Sequence, residues 1–376
     1  GTSGYLLIRS VPYLDAGKGL RLGVLAMVLD LAGDKTVAPQ SHVAFLVGEC
    51  PCGLDGSPLP GVSQNTNQFL GDGLTPNHQI SRKPTLGSGP SGYRDFHHKV
   101  TTYLAIVCGP AQSLYPSASA KTYPAVVPEG DDPSVFHYLD TGATKAGIVE
   151  ANGKLKHEKA AIVGVGGTGA YILDFLAKTL VAEIHLFDHD IFINHNAFRC
   201  PGAAELGDLE KRQQKVQYLA AVYSKMRKGV IPHDCFVDET TVNSLKGMNF
   251  VFICIDKGAG KGHILDRLEE WNIPFIDVGM GIQLGDDHRL GGIITVTTSS
   301  PTKRDHVRRR IALVDGEAAN EYSRNVQIAE LNALNAALAV IRWKKLRGYY
   351  DDTTMEHWSA YTIRTNQLIS EDIHEA

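Results

Sequence analysis

The sequence lacks several features that would place it in whole classes of protein. No apolar run reaches the roughly 18 to 20 residues that would span a bilayer, so we expect no membrane-spanning segment. We also expect no signal peptide, and the six cysteines suggest no disulfide framework. We therefore expect a reducing, cytoplasmic location. A net charge of only −4 gives no general attraction to nucleic acid or to an anionic membrane.

The 376 residues have room for two or perhaps three domains, and their composition is that of a globular protein, with 43% hydrophobic and 21% charged residues. Residues 5–127 indicate a β-rich domain without the pattern of a parallel sheet. Its candidate strands are residues 5–9, 20–31, 42–48, 99–108 and 122–127.

Residues 53–94 form a long stretch rich in Gly, Pro, Ser and Asn, and such a loop in a compact domain is usually functional or disordered. A group of polar residues around it could form a metal or hydrolase site: Glu49, Cys50, Cys52, His78, Asp95, His97 and His98. The alternative is that they are solvated loop residues with two packed thiols. The Cys-x-Cys spacing is not that of a zinc knuckle, and the histidines lack a tight ligand spacing.

The motif that organises the rest of the chain begins at residue 160. An apolar run, residues 160–165, predicts a buried parallel strand. A glycine-rich turn and a helical periodicity follow, with glycines at Gly164, Gly166, Gly167 and Gly169. Because the free N–H groups and the dipole at the start of a helix face this turn, the arrangement predicts a phosphate-binding βαβ unit. A second predicted strand, residues 183–187, ends in Asp188, where a carboxylate can hold ribose hydroxyls.

Residues beyond Asp188 separate the possible functions of this unit. Asn196 and Arg199 lie eight and eleven positions further on. A nicotinamide-dependent dehydrogenase needs no cation there unless it binds a 2′-phosphate, whereas an enzyme that expels pyrophosphate does. The stretch resembles the adenylating core of the ThiF/MoeB and ubiquitin-activating enzyme family, in which an Asp-x-Asp, an Asn and an Arg follow the second strand. The matching residues are Asp188, Asp190, Asn196 and Arg199.

The resemblance implies an α/β fold, a Rossmann-like, mostly parallel adenylation domain preceded by a smaller β-rich α+β domain. The expected layout is an accessory domain at 1–127, a linker at 128–157, the adenylation domain at 158–348 and a carboxyl-terminal extension at 349–376. We expect later strands at residues 273–279 and 292–298. Helices are expected at 209–228, from about Gly260, and at 325–346, the last with Ile328, Leu331, Leu338 and Ile341 facing inward.

The resemblance also implies an activity. The family uses ATP and Mg²⁺ to adenylate a carboxylate. Here we expect the substrate to be the carboxyl terminus of a ubiquitin-like protein and a further partner to be a conjugating-enzyme-like protein. We expect the chain to work as a homodimer. By resemblance, the four glycines line the phosphates and Asp188 holds the ribose. Arg199 and Lys215 neutralise the leaving group, Asn196 positions it and Asp256 holds Mg²⁺.

Alternatives remain open from the sequence. A relative that activates a small or tRNA-borne carboxylate would need the same core. A nicotinamide oxidoreductase would leave Arg199 and Asp256 without a task, and an inactive scaffold subunit is the non-enzyme alternative. No cysteine follows Cys254, although many relatives carry an acyl-accepting thiol there. Direct transfer to a partner's nucleophile is therefore favoured over an ester with a hydroxyl in residues 297–323 and over a thioester with Cys50 or Cys52. Residues 303–310 include a basic cluster, either a solvated face or a docking patch.

Overall fold

The computed structural model describes residues 4–33, 35–64, 74–85, 87–128, 134–256, 258–311, 313 and 326–371. It divides the chain into two compact units, Gly1–Pro124 and Ala125–Ala376. In the described ranges, no helix is both long enough and apolar enough to cross a membrane.

The first unit is an antiparallel sheet with one long helix. Its elements are β1 (Tyr5–Leu14), β2 (Leu20–Val28), β3 (Leu31–Ala32), β4 (Lys35–Thr36), β5 (Val43–Val47), β6 (Val62–Gln64), β7 (His78–Ser81) and α1 (Phe96–Leu114). The main sheet has the order β1-β2-β5-β7-β6, and β3 and β4 form a separate pair. One face of the sheet and α1 bury a common core around Leu25, Leu46 and Tyr103.

Two of the strands predicted in this unit are wrong. Residues 99–108 lie within α1, and residues 122–127 form no regular element. The β-branched and aromatic residues of the first segment favour a strand. However, the Asp95 side chain accepts a hydrogen bond from the His98 N–H and caps the helix. Lys99, Tyr103, Val107 and Ala111 recur every fourth residue on the buried side, so tertiary packing favours the helix.

The second unit opens with a helical segment and the predicted βαβ motif. Its first elements are α2 (Thr141–Ala146), α3 (Val149–Gly153), β8 (Lys159–Val163), α4 (Gly167–Ala177), β9 (Glu183–Phe187), α5 (Asn194–Ala197), α6 (Leu206–Glu210), α7 (Lys215–Tyr223) and β10 (Val230–His233). Then follow β11 (Phe250–Ile253), α8 (Gly258–Glu270), β12 (Phe275–Leu284), β13 (Leu290–Ser299), α9 (Val307–Arg310), α10 (Ala329–Leu346), β14 (Trp358–Thr362) and β15 (Gln367–Ser370).

These strands form one sheet in the order β10-β9-β8-β11-β12-β13-β14-β15. The pairs from β10 to β12 are parallel, and the pairs from β12 to β15 are antiparallel. Successive residues of β8 enter different cores: Ala160 and Ile162 pack with α4, α7 and α10, whereas Ala161 and Val163 pack with α8. Helices thus cover both faces, as a parallel sheet requires, and the Rossmann-like, mostly parallel fold is confirmed.

Several predicted elements have different bounds. The helix expected at 209–228 is a short turn, α6, followed by α7, and the strand expected at 292–298 is longer. In α10 the predicted inward stripe is only partly correct. Leu338 packs against the core, but Ile341 is 43% exposed, while Asn332, Asn335 and Trp343 are fully buried. The buried face is therefore rotated toward two polar residues.

Candidate functional site

A cavity of about 430 Å³ lies at the carboxyl ends of the parallel strands. In open α/β sheets, ligands bind in the crevice outside these ends. The predicted residues that line the cavity are Gly164, Gly166, Gly167, Asp188, Asp190, Arg199, Lys215 and Asp256. The fold therefore brings together residues that are up to 92 positions apart in the sequence (from Gly164 to Asp256).

The glycine turn joins β8 to α4 and is shaped by close backbone approaches. Gly164 has a φ of 88°, and a Cβ there would lie 2.8 Å from the Cys254 carbonyl oxygen, so no other residue fits without strain. A Cβ on Gly169 would lie 1.9 Å from the Gly164 carbonyl oxygen. Gly169 is thus required for packing and does not line the cavity, whereas a Cβ on Gly166 would meet nothing within 4 Å.

Asp188 holds this turn in place. One carboxylate oxygen accepts the Val165 N–H at 2.9 Å, and the other accepts the Asp190 N–H at 2.9 Å. The carboxylate is buried. Because each carboxylate oxygen has two lone pairs, both can still accept a ligand hydroxyl, so the residue can shape the turn and bind a ribose.

Lys215 begins α7 and faces back toward the end of β9. Its Nζ lies 2.6 Å from Asp190 Oδ2 and 3.7 Å from Asp188 Oδ1, and the side chain is buried. The backbone N–H of Lys215 also donates to the Asp190 carbonyl at 2.8 Å. The amino group is therefore held at the cavity wall by two carboxylates.

Arg199 also lines the cavity, but its electrostatic surroundings differ from those of Lys215. Its Nε is buried, and the described residues offer it no hydrogen-bond partner. An unpaired buried donor on a cation is costly, and a guanidinium binds phosphate or carboxylate oxygens with fork geometry. The site therefore contains a buried cationic donor to which an anion could bind.

Asn196 does not line the cavity. Its Oδ1 accepts the Ile193 N–H at 2.9 Å, and its carbonyl accepts the Arg199 and Cys200 N–H groups. These contacts fix the turn that carries Arg199. Direct contact between Asn196 and the leaving group stays a prediction.

Asp256 follows β11 and lies next to the glycine turn. Its Oδ2 accepts a hydrogen bond from Gln327 Nε2 at 3.3 Å. No group of three or more His, Cys, Asp or Glu residues that could hold a metal occurs in the described ranges. Mg²⁺ commonly uses one or two protein carboxylates together with substrate phosphates, so a single carboxylate beside a phosphate-binding turn fits this ion.

Sequence reasoning missed the far end of the cavity. Val278 and Met280 from β12, Gln327 and Asn335 line it there. Asn335 is fully buried and its Nδ2 donates to the Gly279 carbonyl at 3.0 Å. The signal in the sequence was the interruption of the apolar pattern by two asparagines in residues 329–346.

The amino-terminal candidates do not form a metal site among the described residues. Glu49 uses its N–H to donate to the Tyr13 hydroxyl, and Cys52 is buried with its thiol against the Cys50 carbonyl. His78 is buried in β7. His97 is exposed, whereas His98 packs edge-on against Tyr93 at the start of α1. The metal or hydrolase interpretation of this group stays a prediction, with no cluster of three potential ligands among the described residues to support it.

Intramolecular contacts account for much of the basic cluster. Arg308 pairs with Asp266 at 2.6 Å, and Lys303 pairs with Asp305 at 3.1 Å. Arg304 donates to the Glu269 carbonyl, and the Arg310 guanidinium lies 3.9 Å from the centroid of the Trp358 ring. These contacts are those of a structural surface, and we propose no docking site there.

Comparison with known protein families gives one match in the amino-terminal part of the chain and one in the carboxyl-terminal part. Residues 144–319 match the model of the ThiF family, and residues 2–141 match that of a domain of unknown function, DUF6791. No curated protein sequence matches the chain.

Similar solved structures have low sequence identity. One structure of E. coli MccB with MccA-N7isoASN is 18% identical, with a TM-score of 0.48 over 61% of this chain and 67% of that one. E. coli MccB with ATP is 21% identical, with a TM-score of 0.47 over 60% and 66%. PaaA is 18% identical, with a TM-score of 0.46 over 60% and 76%. The family matches show that this chain carries a ThiF family domain at residues 144–319, preceded by a DUF6791 domain at residues 2–141.

Proposed function

We propose that this chain uses ATP to adenylate a carboxylate, namely the carboxyl terminus of a ubiquitin-like protein. A carboxylate oxygen attacks the α-phosphorus of ATP, and a new P–O bond forms. The bond from that phosphorus to the oxygen bridging to the β-phosphorus breaks, and pyrophosphate leaves with the electron pair. The ThiF family match over residues 144–319 supports this class of reaction.

One observation carries the proposal: Arg199, whose buried Nε has no hydrogen-bond partner among the described residues, lines a cavity that also contains the start of a helix. Gly166 and Gly167 present the free N–H groups of α4 with no side-chain cap. These donors and the guanidinium suit a polyphosphate. Lys215, which lines the same cavity, adds a second cation that can exchange a carboxylate contact for a phosphate contact.

Positioning and charge stabilisation account for the proposed catalysis, because the reaction needs little covalent chemistry from side chains. Asp188 binds the ribose, and the glycine turn binds the phosphates. Arg199 and Lys215 stabilise charge on the departing pyrophosphate. Asp256 would hold Mg²⁺, which supplies positive charge at the phosphate oxygens when bound.

Two thiols of this domain, those of Cys200 and Cys254, are poor acyl acceptors. Burial raises the pKa of Cys200 to about 11, and burial also raises the pKa of Cys254 well above its usual value. Since the thiolate is the nucleophile, we propose direct transfer of the acyl group to a nucleophile of a partner such as a conjugating-enzyme-like protein. Cys200→Ala and Cys254→Ala should keep full adenylation, and loss of acyl transfer in either variant with adenylation intact would contradict this route.

The experiment that tests the function is ATP–pyrophosphate exchange by the full chain, with each ubiquitin-like protein from the same genome as substrate. We expect exchange with one of them, and its loss when the terminal carboxylate is converted to an amide. Exchange that requires tRNA or a small acid would replace the proposed substrate, and no exchange with any carboxylate would refute adenylation.

A further inference from the structure

The order of the strands in the sheet indicates which part of the bound reactants each end of the cavity would hold. The sheet places the end of β9, with Asp188, beside the glycine turn of β8, then Asp256 after β11, then Val278 and Met280 of β12. Lys215 lies on the β9 side. With ribose at β9 and phosphates at the turn, the end beside β12 is left for the group that attacks the α-phosphorus.

Gln327 places a fixed acceptor at this end. Its Nε2 donates to Asp256 Oδ2 at 3.3 Å. Because a carboxylate can only accept, this contact fixes which end of the amide is the nitrogen. The Oε1 atom is then buried, and it has no hydrogen-bond partner among the described residues.

Asn335, which lies on α10, has a side-chain amide that donates a hydrogen bond from its nitrogen, as that of Gln327 does. Its Nδ2 donates to the Gly279 carbonyl at 3.0 Å, which fixes the amide in the same way. Its Oδ1 is buried and also lacks a partner within the described ranges. Buried carbonyl oxygens are nearly always hydrogen-bonded, and each exception needs an explanation.

The two side chains have the same unmet requirement. Both residues line the cavity at the end beside Asp256 and β12, and each has a buried side-chain oxygen with no donor among the described residues. The cations that line the described cavity, Arg199 and Lys215, carry the glycine-turn and β9 side of the site. The β12 end therefore suits a neutral chain that carries N–H donors.

We propose that Gln327 and Asn335 are specificity-determining residues that accept hydrogen bonds from main-chain N–H groups of the acyl substrate. The site thereby selects a peptide carboxyl terminus over a carboxylate that lacks neighbouring amides. This inference rests on the proposed adenylation and adds to it the residues that recognise the substrate.

Two stable mimics of the acyl-adenylate test the inference on the full chain by calorimetry. One is N-acetylglycylglycyl-sulfamoyladenosine, and the other has ester oxygens in place of its two N–H groups. Wild-type protein should bind the amide about 5- to 150-fold more tightly, as expected for two hydrogen bonds. The ratio should fall in Gln327→Leu and in Asn335→Leu, and approach one in the double variant.

Asn332→Leu is the matched control. Asn332 is equally buried on α10, but it contacts Thr168 and does not line the cavity. This variant should lose stability and keep the wild-type amide-to-ester ratio.

The outcomes separate the inference from the function on which it rests. Equal binding of the two mimics by wild-type protein overturns the inference while leaving adenylation intact, and needs no variant to fold. A ratio that Asn332→Leu lowers as much as Asn335→Leu does also overturns it, because packing alone would then explain the effect. Binding of neither mimic overturns both the inference and the proposed function.

Discussion

The glycine turn gives the sharpest separation of binding from folding. Gly166 and Gly169 are three residues apart, and both are replaced by alanine. A Cβ on Gly166 meets nothing within 4 Å, whereas one on Gly169 would lie 1.9 Å from a backbone oxygen. Only the first space is open, and it is the space at the start of α4 that we assign to a phosphate.

Gly169→Ala should therefore destabilise the fold by about 1 to 3 kcal/mol, the usual cost of overpacking a core. Gly166→Ala should lose less stability than Gly169→Ala in the absence of nucleotide, because its Cβ meets no atom within 4 Å. It should nevertheless lose a charge-assisted hydrogen bond to ATP, a contact of about 1.5 to 3 kcal/mol, which corresponds to roughly 10- to 150-fold in Kd.

Thermal unfolding without ligand and calorimetric titration with ATP and Mg²⁺ measure the two effects separately. Wild-type affinity for ATP in Gly166→Ala would refute the phosphate-binding assignment of the turn. Equal loss of stability in the two variants would refute the packing argument.

Three further predictions concern other parts of the second unit. Arg199→Ala should lower adenylation by about 10² to 10³, as expected when one preorganised charge contact is lost, and Arg199→Lys should restore part of the rate because it keeps the charge without the fork; pyrophosphate exchange measures both, and near-normal exchange in Arg199→Ala would contradict the assignment. Lys261→Met should lower the free energy of unfolding, measured in urea, by about 3 to 5 kcal/mol, because Lys261 Nζ lies 2.7 Å from Asp277 Oδ1 and both side chains are buried. The double variant Lys261→Met with Asp277→Leu should recover stability. Equal stability of the single and double variants would show that the two residues are not coupled. We expect the working unit to be a homodimer formed mainly by residues 158–348. Light scattering measures its mass in solution, and a fully active monomer at high concentration would contradict this prediction.

The sequence predicted the two strands that flank the glycine turn. Residues 160–165 and 183–187 were predicted as strands, and β8 (Lys159–Val163) and β9 (Glu183–Phe187) confirm them. The reason is that a buried parallel strand leaves a short, continuous apolar run, and a glycine turn follows it immediately.

The sequence alone could not predict the segments in which tertiary packing overrides the local preference of the residues for a strand or a helix. The segment at 99–108 has the residues of a strand, but one buried face and the Asp95 cap make it helical. In α10 the larger apolar residues suggested one inward face. The structure buries Asn332 and Asn335 instead, because their contacts are with Thr168 and Gly279, more than 50 residues away in the chain.

The same limit explains why the far end of the cavity was not predicted. Gln327 and Asn335 become recognisable only when their partners, Asp256 and the Gly279 carbonyl, are known. A single sequence carries no signal for an unpaired oxygen, because pairing depends on the tertiary structure.

Nucleotide choice tests the central claim most directly. The cavity contains a glycine turn, a buried guanidinium without a described partner and a carboxylate after β11, and the account assigns all three to ATP. In calorimetric titrations of the full chain, ATP with Mg²⁺ should bind, NAD should not, and Arg199→Ala should weaken the ATP signal. Tight binding of NAD with no binding of ATP would contradict the account.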